Sequence, residues 1–166
     1  MTVVVWIVEG TWQACIDAAR RFAQGMDVIL LHITEEGPAA AARGARTGLL
    51  GRSHPAHDPG KRIEAAAAAA AANLLDAAAD RLGRPARRAS RSGRAEHEVT
   101  AACADADLLI VARDGDLRRL GPKSLGPATR FIVDHVPCPL LLVWPDEPPA
   151  LASMPPHPPP PPPKRR

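Results

Sequence analysis

Asp107–Trp144 reads DLLIVARDGDLRRLGPKSLGPATRFIVDHVPCPLLLVW, and this stretch decides the fold. Leu108–Ala112 is a short continuous apolar run, the mark of a strand buried on both faces. A polar, glycine-containing loop follows, Arg113–Leu125. A helix then starts at Gly126-Pro127, with proline at the first helical position, where its missing N–H costs nothing. Ala128, Phe131, Ile132 and His135 share one face of that helix at three- and four-residue spacing. Pro137 and Pro139 end it, and Leu140–Val143 is a second apolar strand. Strand, loop, helix and strand make a βαβ unit, so the two strands should run parallel. In such units ligands bind at the carboxyl ends of the strands.

Working outward, Val3–Val8 reads as a first buried strand. Gly10-Thr11 supplies a turn and an N-cap for a helix over Trp12–Ala23, with Cys15, Ala19 and Phe22 inward. Gly25 stops that helix and Val28–Ile33 is a second strand. Two apolar runs separated by a helix again predict a parallel sheet. Thr34–Gly60 is a long irregular connection, of the kind that forms functional lids or inserts. Asp58-Pro59 is a cap followed by proline, and Lys61–Leu82 follows as a helix, its run Ala65–Ala72 being the best of helix formers. Ile63, Leu74, Leu75 and Leu82 should anchor it. Pro85–Ser92 is a third strand, poor in apolar residues and therefore suited to a sheet edge, with Arg87, Arg88 and Arg91 solvated. Ala95–Cys103 is a shorter helix that buries Val99 and Cys103. Five strands thus alternate with four helices over residues 1–145. Proline dominates the remaining segment, 146–166, which is expected to be a disordered, extended tail.

A chain of 166 residues, 46% hydrophobic and 3% aromatic, is sized for one domain with an aliphatic, alanine-rich core. The formal charge of +3 owes much to the terminal Lys164-Arg165-Arg166 and does not argue for nucleic acid. The three cysteines show no CxxC or zinc spacing and read as free thiols of a reducing cytoplasm. No apolar run approaches the ~20 residues of a membrane span, and Val3–Val8, interrupted by Glu9, is no export signal.

The central stretch resembles the universal stress protein family. That family's pattern is a glycine, two residues, a glycine, nine residues, then a glycine with serine or threonine, a helix, and Pro-Cys-Pro before an apolar strand. Leu125-Gly126 and His135-Val136-Pro137-Cys138-Pro139-Leu140-Leu141-Leu142-Val143 match its closing half. In the opening half the two glycine positions hold Arg113 and Asp116, and the serine position holds Pro127. The resemblance spans about Thr2 to Trp144. It implies a three-layer, doubly wound, five-stranded parallel α/β sheet in the order 3-2-1-4-5. The crevice between Glu9-Gly10-Thr11 and Ala112–Gly115 is then the topological switch point.

The resemblance also implies a degenerate site for ATP or another adenine nucleotide, formed by Glu9, Ile33, Ala112, Arg113, Gly115, Asp116, Gly126, Pro127 and Ala128. Glu9 stands where nucleotide-binding members carry an aspartate that contacts the nucleoside. Ile33 matches a position that offers backbone groups and an apolar wall to adenine. Phosphate-loop glycines let backbone N–H groups reach oxygens without a Cβ in the way. Arg113 and Asp116 fill two of those positions, and Gly115 lies one residue before the second, a shifted register that would partly restore the turn. Asp116 should repel phosphate, whereas Arg113, Arg118, Arg119, Lys123 and Arg130 could attract it. Pro127 removes a hydroxyl and an N–H from a helix start that ordinarily holds anions. Nucleotide binding is therefore expected to be weakened or lost.

Gly121-Pro122-Lys123-Ser124 is no P-loop, since its spacing from Gly115 is one too long and Pro122 splits the Gly-Lys pair. His54-Pro55-Ala56-His57-Asp58 lacks a third metal ligand. His135 reads as a helix-end partner of the dipole and Cys138 as a structural thiol. The expectation is a cytoplasmic binding and regulatory protein of the stress response, with no catalytic constellation. It should form a homodimer through the edge strand Leu140–Trp144. The alternatives are an ATP-binding stress protein with slow hydrolysis, or an enzyme of another doubly wound family.

Overall fold

The computed structural model describes residues 1–35 and 59–156. Five strands form one sheet: β1 (Thr2–Trp6), β2 (Asp27–Thr34), β3 (Arg87–Ser92), β4 (Leu108–Ala112) and β5 (Leu140–Val143). Four helices alternate with them: α1 (Trp12–Phe22), α2 (Pro59–Leu82), α3 (Ala95–Ala102) and α4 (Pro127–His135). The strand order is β3-β2-β1-β4-β5, as the family resemblance implies, and every pair is parallel, as the apolar runs predict. Val4 pairs with Ile29 on one side and Leu109 on the other, so β1 is the central strand.

Two apolar layers flank the sheet. On one face Val3, Val5, Ile7, Leu30 and Ile110 meet Cys15, Ile16 and Ala19 of α1 and Leu75, Ala78 and Leu82 of α2. On the other, Val4, Trp6, Leu31, Leu109 and Val111 meet Val99 and Cys103 at α3 and Ile132 of α4. Both faces of β1 and β4 are covered, which is why these strands are written as unbroken apolar runs. Among the described residues β3 pairs only with β2, and its exposed arginines suit that edge. Two of them are nevertheless paired: Arg88 with Asp76 at 2.8 Å and Arg91 with Glu98 at 3.6 Å.

Several sequence expectations need correction. Phe22 is 57% exposed rather than inward. It follows Ala18 by one helical turn, on the flank of α1 that faces a recess lined by Arg81 and Trp144. The Arg21 guanidinium covers its ring at 5.0 Å. Ile63 is also exposed, and the apolar anchoring of α2 comes from Ala71, Leu75, Ala78 and Leu82 in its later turns. Thr11 stands at the N-cap of α1 but makes no capping bond; its hydroxyl donates to Val8 O instead. His135, by contrast, stands in the last turn of α4 as expected, exposed, with Nδ1 2.8 Å from Phe131 O and its ring stacked on Phe131. Asp58 and the His54–Asp58 motif lie outside the described residues.

After β5, Leu151–Ser153 forms a short 3-10 turn. The Ser153 hydroxyl accepts a hydrogen bond from Leu120 N–H at 3.1 Å. The proline run and the terminal basic residues lie outside the described residues.

Candidate functional site

The strand order places the ends of β1 and β4 side by side, and the residues singled out in the sequence gather there in two halves. The first half is a groove of about 650 Å³ over the ends of β1 and β2, closed on its far side by α2. Ile33 and Leu74, with alanines of α2, give it apolar walls, while Glu9, Glu35 and His32 line it with polar groups. Glu9 is exposed in the turn after β1, and Ile33 is buried at the end of β2. His32 Nδ1 lies 3.0 Å from Ile7 O. A carbonyl only accepts, so Nδ1 carries a proton and donates in this contact.

The second half is the loop from β4 to α4, which is closed on itself. Ala112, buried, ends β4. Gly115 N–H donates to Ser124 O at 2.9 Å, and Asp116 N–H donates to Lys123 O at 2.8 Å. Two successive N–H groups of the outgoing limb therefore close onto carbonyls of the returning 3-10 turn, Pro122–Ser124. Gly115 is required for this: a Cβ there would stand 2.4 Å from Lys123 O and 2.8 Å from Ser124 C. Its glycine serves contact between backbones, not the approach of a ligand.

Side chains tighten the same loop. Arg113 donates to the buried Ser124 hydroxyl and lays its guanidinium 4.7 Å from the centre of the Trp144 ring. Ser124 Oγ in turn donates to Gly121 O at 2.7 Å. Arg130, reaching back from α4, donates to Pro122 O and Leu125 O at 2.9 and 3.2 Å. Asp116 is turned to Arg118, whose Nε donates to it at 2.9 Å, and that hydrogen bond holds its carboxyl below the ordinary aspartate value. Arg113, Arg118 and Arg130 are thus spent on protein oxygens.

At the start of α4, Gly126 is the N-cap and Pro127 the first helical residue, exposed; Ala128 packs against the α3–α4 layer. The Gly126 N–H donates to Asp114 Oδ1 at 2.7 Å. Asp114 escaped the sequence reading, which aligned its neighbours Arg113 and Asp116 with the family glycines. The signal was present, since Asp-Gly at 114–115 marks a turn.

The cysteines are spread through both layers. Burial pushes the Cys15 and Cys103 thiols up to about 12. It also raises Cys138. Among the described residues no cluster of three or more histidine, cysteine or acidic side chains could hold a metal ion. None of their helices is long and apolar enough to cross a membrane.

No curated protein sequence matches the chain. Solved structures do. That of the hypothetical protein MJ0577 aligns at 16% identity and a TM-score of 0.65, covering 86% of this chain and 94% of its own. The universal stress protein UspA of Lactobacillus plantarum aligns at 16% identity and 0.58, covering 86% and 97%. A universal stress protein in complex with cAMP aligns at 17% identity and 0.53, covering 88% and 98%. At these identities the likeness is one of fold. The model of the universal stress protein family, however, matches the sequence itself over residues 11–143. That span runs from the turn after β1 to the last residue of β5, most of the described domain, so the chain belongs to the universal stress protein family.

Proposed function

We propose that this chain is a binding and regulatory member of the family, not an enzyme, and that it retains a nucleoside-sized groove while its phosphate half is shut. One observation carries the reading. The N–H groups of Gly115 and Asp116, which a phosphate loop would offer to a ligand, are donated to Ser124 O and Lys123 O within the loop. Binding a polyphosphate there would first break two backbone hydrogen bonds, each worth about 0.5–1.5 kcal/mol net. The groove beside Glu9 and Ile33 keeps an apolar wall and hydrogen-bonding groups at its rim. The cAMP complex of a structurally similar universal stress protein makes an adenine ligand a reasonable candidate for it.

Calorimetry of the purified protein with ATP, ADP and AMP tests this. The expected result is a Kd for ATP in the millimolar range, near −4 kcal/mol, with no gain from AMP to ATP. Low-micromolar ATP binding that tightens with each phosphate would overturn it.

The family's regulatory role would also need a partner surface, and we assign that to β5. It lies at a sheet edge, with all four residues of Leu140–Val143 partly exposed. A second copy would cover its free hydrogen-bonding groups. Light scattering at micromolar concentration should report a dimer, and a monomer would sink the idea.

A further inference from the structure

We propose that Asp114 is a built-in anion: its carboxylate takes the place at the start of α4 that a ligand's phosphate would occupy, and so selects uncharged over phosphorylated ligands. The proposal rests on the shut phosphate half described above and names the residue that would enforce it. A helix start gathers unpaired N–H groups and positive dipole ends, and an anion there is favoured. In this chain the anion comes from the protein. Asp114 Oδ1 accepts the Gly126 N–H at 2.7 Å. A Cβ on Gly126 would stand 2.8 Å from Oδ2 and 2.9 Å from both Cγ and Oδ1 of the same carboxyl. The carboxylate therefore lies against the nitrogen and the α-carbon of Gly126 together, and the absence of a side chain at 126 makes room for it.

A second observation is independent of that contact. Among the described residues, two buried side-chain atoms have no hydrogen-bond partner: Arg113 Nε and Thr129 Oγ1. One belongs to the residue before Asp114 and the other to the third residue of α4, and Thr129 is fully buried. Buried polar groups are ordinarily paired, and the Thr129 hydroxyl in the first turn of α4 is left without a partner. A phosphate group has oxygens enough to take up several donors at once, whereas the Asp114 carboxylate takes the Gly126 N–H. Asp114 is exposed and could swing aside, but its charge would stay close to any anion that replaced it. Glu9 and Glu35 add negative charge to the groove lined by Ile33 and Leu74. All three carboxylates oppose a phosphorylated ligand and tolerate a neutral one.

The test compares the wild-type protein with Asp114→Ala and Asp114→Asn, using calorimetry with ATP, inorganic tripolyphosphate and adenosine as probes. Asp114→Ala should bind ATP and tripolyphosphate at least tenfold more tightly than wild type, with adenosine changed less than twofold. Asp114→Asn keeps an oxygen for the Gly126 N–H without the charge, and should gain less. Folded variants that gain nothing for either polyphosphate, beside a wild type that also binds neither, would overturn the role of Asp114 alone. Tight ATP binding by the wild type would instead overturn the shut phosphate half. If even the isosteric Asn variant fails to fold, the carboxylate is holding the loop together and the proposal falls.

Discussion

Replacing Gly115 by alanine tests the closed loop most directly. The added Cβ would stand 2.4 Å from Lys123 O, 2.8 Å from Ser124 C and 2.9 Å from Leu125 C. All three are backbone atoms, so no side-chain rotation can relieve the contact. Gly115 does not occupy the left-handed region, so the cost is one of contact and not of torsion. To restore ordinary separation the two limbs must part by roughly an ångström, a strain of about 1–3 kcal/mol by the measure of overpacked cores. That parting lengthens the bonds from Gly115 N–H to Ser124 O and from Asp116 N–H to Lys123 O, now 2.9 and 2.8 Å. Each contributes about 0.5–1.5 kcal/mol. The alanine recovers roughly 0.4–1 kcal/mol by restricting the unfolded chain. The net loss is about 2–4 kcal/mol, which for a chain of this size lowers Tm by roughly 5–15 °C. Far-UV circular dichroism melts measure the shift, and hydrogen exchange reads the 115 and 116 amides one by one. A variant that melts within 1 °C of wild type with both amides still protected would refute the closed-loop geometry.

Gly126→Ala should cost about 1–2 kcal/mol in urea unfolding because its Cβ displaces the Asp114 carboxyl and its hydrogen bond. In an Asp114→Ala background the same change should cost under about 0.5 kcal/mol, and equal costs in the two backgrounds would deny the contact. Alkali should expose the buried thiols. Cys15 and Cys103 are raised by burial from 9.0 to about 12, so folding favours their protonated forms. Their contribution is whole below about pH 9 and is lost as pH rises toward 12, and the Cys15→Ala, Cys103→Ala variant should show a shallower fall of Tm across that window. Among the described residues, truncation after Pro145 removes one hydrogen bond between the segment and the domain, from Leu120 N–H to Ser153, and the packing of Pro155 on Gly121. It should lower stability by no more than about 1 kcal/mol, and a larger fall in a thermal melt would show the segment docked on the domain.

The sheet was legible because its central strands are buried on both faces. A strand such as Leu108–Ala112 then has no polar positions, and its reading survives errors of one or two residues at either end. The charged β3 was legible for the opposite reason, an edge being the place where arginines remain solvated. Phe22 shows the limit of periodicity. It repeats correctly after Cys15 and Ala19, yet a helical stripe says nothing about where the sheet beneath it ends. The site was less legible still. Family spacing points to positions 113, 116 and 126, but the group that meets Gly126 is the carboxylate of Asp114, twelve residues away. Such a contact depends on how two limbs of a loop return on each other, and no local pattern encodes it.

The departures from the family pattern make sense together as an account of backbone donors. Every buried N–H needs a partner, and a ligand-binding loop leaves several for its ligand or for water. Here Gly115 and Asp116 donate to loop carbonyls, Gly126 donates to Asp114, and Pro127 has no N–H to offer. Changing Arg113 or Asp116 singly toward glycine would not reopen this loop. Arg113 braces Ser124 and Trp144, and the backbone N–H of residue 116 stays paired whatever its side chain. Arg113→Gly should therefore weaken the fold without giving ATP a place to bind. The contact that can be released without parting the two limbs is the one made by the exposed Asp114, so affinity for phosphate should respond to position 114 before it responds to either position where a family glycine is missing.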